Sequence, residues 1–149
     1  MADDSLDIIA KLIETCRDGQ AGYLEAAELA RNHALRGFFS NRAMERARFA
    51  AELEHIAIRL GEADPSRGPS LANQLHRAWI DLKNRLGGGD ASVLESVEVG
   101  ESNAQHHYRA ALQAGLPPEM HRVVEEQAES ISAALDQIRT LRDVYKRAA

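Results

Sequence analysis

Three arrangements in this 149-residue chain carry groups able to do chemistry. Glu52 and His55 stand three apart, which turns both side chains to one helical face; a di-iron site inside a helical bundle uses that Glu-x-x-His spacing twice, with one further Glu from each of two other helices. Glu101 interrupts an apolar stripe made by Leu94, Val97, Ala104, Tyr108 and Ala111. A carboxylate in such an interior is costly unless it is paired, hydrogen-bonded or neutralised. The adjoining His106 and His107 point about 100° apart on a helix. They read as surface residues, poorly placed to ligate one ion together.

The di-iron set is incomplete. None of His33, His76, His106, His107 and His121 has a glutamate three residues before it. On the last helical segment, where a second pair is required, the middle offers Gln127, Ser130, Ile131 and Leu135. Glu52 and His55 lie at the edge of an apolar face beside Phe49 and Ile56, and read as a half-exposed pair. A mononuclear or carboxylate-only site for iron or manganese, drawn from Glu14, Glu28, Glu98 or Glu101, stays open as the alternative, although most helix glutamates are solvated. The expectation is no cofactor and no catalytic residue. Ser, His and Asp are not placed as a triad, and Gly87 to Gly89 reads as a helix stop, not a phosphate loop. Trp79 at helical spacing reads as a core anchor.

The elements that must position these groups are long helices. Leu6, Ile9, Ile13, Cys16, Gln20, Tyr23, Ala27 and Ala30 share a seam over 5–32, with Ser5 as the cap and Gly19 and Gly22 marking a bend or a close approach. A second helix over 37–60 carries Phe39, Arg42 or Ala43, Arg46, Phe49, Leu53, Ile56 and Leu60 inward. The segment 61–70, GEADPSRGPS, breaks the pattern with two prolines and two glycines. A shorter helix follows over 71–86. Asp90 then caps a helix over 91–114, and Pro118 opens the last one, 118–147, with Met120, Val124, Gln127, Ile131, Ala134, Ile138, Leu141 and Tyr145 on its seam. Gln20, Arg46, Glu101 and Gln127 each interrupt a seam near mid-helix. They are expected to form a buried polar layer in which Arg46 pairs with Glu101 and the glutamines satisfy leftover donors and acceptors, with Tyr23 and Tyr108 within reach.

Composition excludes several function classes. Hydrophobic residues make up 44% of the chain but aromatics only 5%, a mix that suits close helix packing over a sheet. The formal charge of −5, with Lys and Arg interspersed among acids, argues against a nucleic-acid partner, which needs clustered bases. No apolar run approaches the roughly 18 residues that span a bilayer, and the opening MADDSLDII is acidic where a secretory signal is basic. A single cysteine, Cys16, allows no internal disulfide and reads as core packing. The expected compartment is the cytoplasm.

The strings LIETCRDGQAGYLEAAE at 12–28, RARFAAEL at 46–53, LHRAWIDLK at 75–83, GGGD at 87–90, VGE at 99–101 and IRTLRD at 138–143 resemble a bacterial family of ferritin-like four-helix bundles catalogued as a domain of unknown function. The resemblance implies an all-α bundle with the 71–86 helix as a crossover between the second and third long helices. Periodicity alone leaves a five-helix up-and-down array open. No activity comes with the resemblance. The expected role is a non-catalytic structural or interaction module, with a second copy of the chain as its candidate partner in a homo-oligomer, and the alternative is a metal-binding oxidoreductase or iron-handling protein.

Overall fold

The computed structural model describes residues 2–60 and 89–148, which form four α-helices and, among the described residues, no strand. They are α1 (Ala2–Leu29), α2 (His33–Arg59), α3 (Gly89–Gln113) and α4 (Pro118–Ala148). The crossover helix expected over 71–86, with Trp79 and His76, lies outside the described residues.

Capping chemistry sets the ends. Asn32 is extended, with φ −76° and ψ 131°, and its side chain accepts from the Leu35 N–H at 3.2 Å. That cap starts α2 at His33, so the link from α1 is residues 30–32 alone and not the longer connection expected around 33–36. Ser5 is not a cap: α1 begins earlier, at Ala2, and Ser5 lies buried inside it. Asp90 is not the cap of its own helix either. Its two carboxylate oxygens accept from the N–H groups of Arg31 at 2.8 Å and Asn32 at 3.1 Å, so α3 satisfies the backbone of the α1–α2 corner. At the other end Gly115, with φ 81°, reverses the chain between α3 and α4, a conformation that glycine adopts without penalty.

These contacts fix the directions. Asp90 holds the start of α3 beside the start of α2, and an Arg59–Glu119 ion pair joins the end of α2 to the start of α4. Contacts run α1 to α2, α2 to α4, α4 to α3 and α3 to α1, closing a ring. Every neighbouring pair is therefore antiparallel, and α2 and α3, across the diagonal, run parallel. The end of α2 and the start of α3 therefore lie at opposite ends of this four-helix bundle.

The core falls into two clusters. One gathers Ile9, Ile13, Cys16, Phe49, Leu53, Tyr108, Val124 and Ile131; the other gathers Tyr23, Phe39, Leu94, Val97 and Ile138. Leu60, expected inward, is the C-cap of α2 and 43% exposed, because the helix ends there and its last turn passes beyond the core.

Candidate functional site

Between the two apolar clusters stands Arg46, and the room for it comes from glycine. A Cβ on Gly19 of α1 would lie 3.4 Å from both Cγ and Cδ of Arg46, so the stem of the arginine runs against bare backbone. This is a close approach and needs no bend at that residue. The guanidinium sits between two rings, 5.8 Å from the centroid of Tyr23 and 5.6 Å from that of Phe49. It donates to Oε2 of Glu101 across the diagonal of the bundle. Tyr23 Oη donates to the same oxygen at 2.6 Å. Arg46 and Glu101 are each 1% exposed.

Burial is the largest single effect on Arg46 and opposes its charge, but the Glu101 carboxylate, with Tyr23, Cys16 and Tyr108 adding to it, outweighs burial and holds the guanidinium above its ordinary pKa. Tyr23 is pushed well above the usual phenol range, first by burial and then by the same carboxylate. The cluster is thus one ion pair with a neutral phenol donor. The Nε and one terminal nitrogen of Arg46 have no hydrogen-bond partner among the described residues; Glu45 Oε1 stands 3.9 Å from that terminal nitrogen, and the rings of Tyr23 and Phe49 flank the group.

Two turns along α1 and α3 is a second polar group. Tyr108 Oη donates to Gln127 Oε1 at 2.7 Å, and Cys16 Sγ lies 2.9 Å from the same hydroxyl. The phenol has one proton and it is committed to Gln127, so the thiol donates to Tyr108. Gln127 Nε2 donates to the Phe49 carbonyl at 3.3 Å and to Glu52 Oε1 at 2.9 Å. The path runs unbroken from the thiol at the core to a carboxylate at the rim. Burial pushes the Cys16 thiol up to about 11, so it stays protonated and unreactive at neutral pH. Burial does the same to the Tyr108 phenol, with Cys16 as the next cause.

Of the four residues expected in one layer, Arg46, Glu101 and Gln127 are buried at mid-height on three helices. They occupy two storeys, bridged by Phe49, whose ring faces Arg46 and whose carbonyl takes Gln127. Gln20 is half-buried and takes no part in these hydrogen bonds. The line that faces the centre from α1 is Cys16, Gly19 and Tyr23, and Gln20 falls on its flank. Cys16 was expected as packing alone; its thiol is also a donor in the second storey.

The candidate metal ligands do not converge. Glu52 and His55 are both exposed at the rim, and Glu52 is engaged by Gln127. Glu28 is exposed, and Glu98 holds Arg139 and Arg142 on α4. Glu14, expected on the solvated surface, is instead 8% exposed, because α1 is buried on every side over Leu12 to Cys16. Burial raises its pKa, with Arg17 offsetting part of the effect. Among the described residues no three His, Cys, Asp or Glu side chains come close enough to hold an ion. The residues at mid-height do not fit a di-iron centre: a guanidinium stands against the one central carboxylate, where a metal cation would meet like charge. His107, expected on the surface, is half-buried against Thr15 of α1.

A family model described as Domain of unknown function (DUF2383) matches residues 4–114. The chain belongs to that family. The DUF2383 match takes in α1, α2 and α3, and with them Cys16, Gly19, Tyr23, Arg46, Glu101 and Tyr108; Gln127 on α4 lies beyond it. No curated protein matches the chain. No helix among the described residues is long and apolar enough to cross a membrane.

Proposed function

We propose that this DUF2383 chain is a non-catalytic, ferritin-like helical bundle that serves as a structural or interaction module in the cytoplasm, its polar centre fixing helix register where related architectures hold a metal. The antiparallel ring with parallel α2 and α3 supports the ferritin-like reading, since such bundles carry one long crossover. The observation that carries the functional reading is the Arg46–Glu101 pair: the central carboxylate is already answered by a fixed cation and by the Tyr23 hydroxyl. A protonated buried thiol suits a reducing compartment.

Metal analysis tests this reading. Protein prepared without a tag from cells grown with added iron and manganese is expected to carry both at far below one equivalent per chain. Stoichiometric metal that survives dialysis would overturn it.

A further inference from the structure

Where α1 and α3 pack together, Lys11 and Leu12 meet His106, His107, Ala110 and Ala111 around a cavity of about 180 Å³. Its floor is apolar, with Leu12 and Ala111 buried. Its mouth carries nitrogen: Lys11 and His106 are exposed and His107 is half-buried. Among the described residues no carboxylate lines it. The second-helix-turn neighbour Thr15 fixes the His107 ring. Thr15 Oγ1 donates its only proton to the Lys11 carbonyl at 2.9 Å, so the His107 Nδ1, 3.2 Å from Oγ1, must be the donor of that contact. Nε2 is then the ring position left to gain or lose a proton.

We propose that this cavity binds a small organic carboxylate, its charged end at the nitrogen-lined mouth and its alkyl end against Leu12, Ala110 and Ala111, with binding coupled to proton uptake at His107 Nε2. The inference is independent of the role assigned to the polar centre. A metal cation is disfavoured because the Lys11 ammonium shares the cavity, and an inorganic anion has no use for the apolar floor. The coupling follows from the charges around the ring. Burial, then Lys11 on α1, then His106 on its own helix, hold His107 below its ordinary pKa of 6.5. A carboxylate bound between them offsets both neighbouring charges and itself attracts the imidazolium.

The test is a titration of the full chain with butyrate, followed by the imidazole resonances of His106 and His107. Saturable shifts are expected with a Kd on the order of 1–10 mM, the range open to so small a ligand. At saturation the His107 pKa should rise by about one unit. Lys11→Ala, at an exposed position, should weaken butyrate about fivefold and leave the melting temperature unchanged. Butyramide binding as tightly would mean an apolar cavity with no preference for charge. Phosphate shifting the same resonances as tightly would mean an adventitious ion only. Either result, an absence of saturation, or a His107 pKa that does not move, would overturn the proposal.

Discussion

Glu101→Ala removes the buried, hydrogen-bonded counter-charge to a guanidinium that is 1% exposed, leaves it only Glu45 at 3.9 Å among the described carboxylates, and takes away the acceptor that Glu101 offers Tyr23. The pair's attraction at roughly 4 Å and an effective dielectric of about 20 is about 4 kcal/mol, and desolvation of both ions cancels much of it. Deleting one partner therefore costs more than the pair contributes, because the desolvation of Arg46 remains while its one buried, hydrogen-bonded compensation is gone and Glu45 stands only at 3.9 Å. The expected loss is about 3–5 kcal/mol. For a chain of this size that is roughly 10 °C in melting temperature. It is also a large share of the 5–15 kcal/mol or so that holds a typical domain together. Replacing both ions, with Arg46→Met and Glu101→Leu, should return stability to within about 1 kcal/mol of the parent or raise it. Urea unfolding of the parent, both single variants and the double variant gives the coupling energy directly. Should Glu101→Ala fail to fold, Tyr23→Phe removes one donor at a cost of about 1 kcal/mol and keeps the cluster open to measurement. A Glu101→Ala variant as stable as the parent, or single effects that simply add, would refute the buried pairing.

Gly19→Ala should be neutral or gain up to about 1 kcal/mol, since its Cβ meets the Arg46 stem at an ordinary contact distance and alanine favours helix, whereas Gly19→Leu should displace Arg46 and unfold at clearly lower urea. Asp90→Ala should cost about 1 kcal/mol and speed hydrogen exchange at the Arg31 and Asn32 amides, and unchanged exchange there would remove the corner role of Asp90. Because burial raises the Glu14 pKa above its ordinary 4.5, the folded chain holds that proton more tightly than the unfolded one, and stability falls as pH climbs through the interval between the two values. Glu14→Gln should thus be more stable than the parent at neutral pH and no different below pH 4 or so; a variant less stable at neutral pH contradicts the sign. Cys16 should react with a thiol reagent only as fast as the bundle opens, so labelling that outpaces amide exchange at Cys16 would place the thiol nearer solvent.

Periodicity carried the helices and most of the polar centre. Arg46, Glu101 and Gln127 were legible because each takes a position that the three-four repeat reserves for an apolar side chain. Gln20 was misassigned because the true inward line on α1 passes through Gly19, and a glycine leaves no hydrophobic mark by which to prefer one line over its neighbour. Glu14 was misread for a related reason. A one-face pattern assumes one buried face, and α1 is enclosed on all sides over Leu12 to Cys16. The Asn32 cap was readable by local rules, but the apolar repeat that follows it is weak up to Phe38, which drew the expected helix start later. Asp90 carries the ordinary signal of a cap. Which amides it caps is set by the approach of α3 to the α1–α2 corner, and no local rule contains that.

The polar centre explains why a core split into two apolar clusters can still define one structure. Sliding one helix by a turn moves it about 5.4 Å, and aliphatic side chains exchange places at a cost of under about 1.5 kcal/mol each. The stripes of Ile, Leu, Val and Ala on these helices therefore discriminate weakly between neighbouring registers. The same slide of α2 against α3 would carry Arg46 to the level of Phe49 and Leu53, away from Glu101, and so separate two buried charges. That separation costs about 3–5 kcal/mol, at least twice what any single apolar mismatch does. Tyr23 ties α1 to the same carboxylate, and Gln127 ties α4 to α2 and α3 through Phe49 and Tyr108. All four helices are thus registered through these two linked storeys, at a net contribution to stability that is small and a penalty for misalignment that is large.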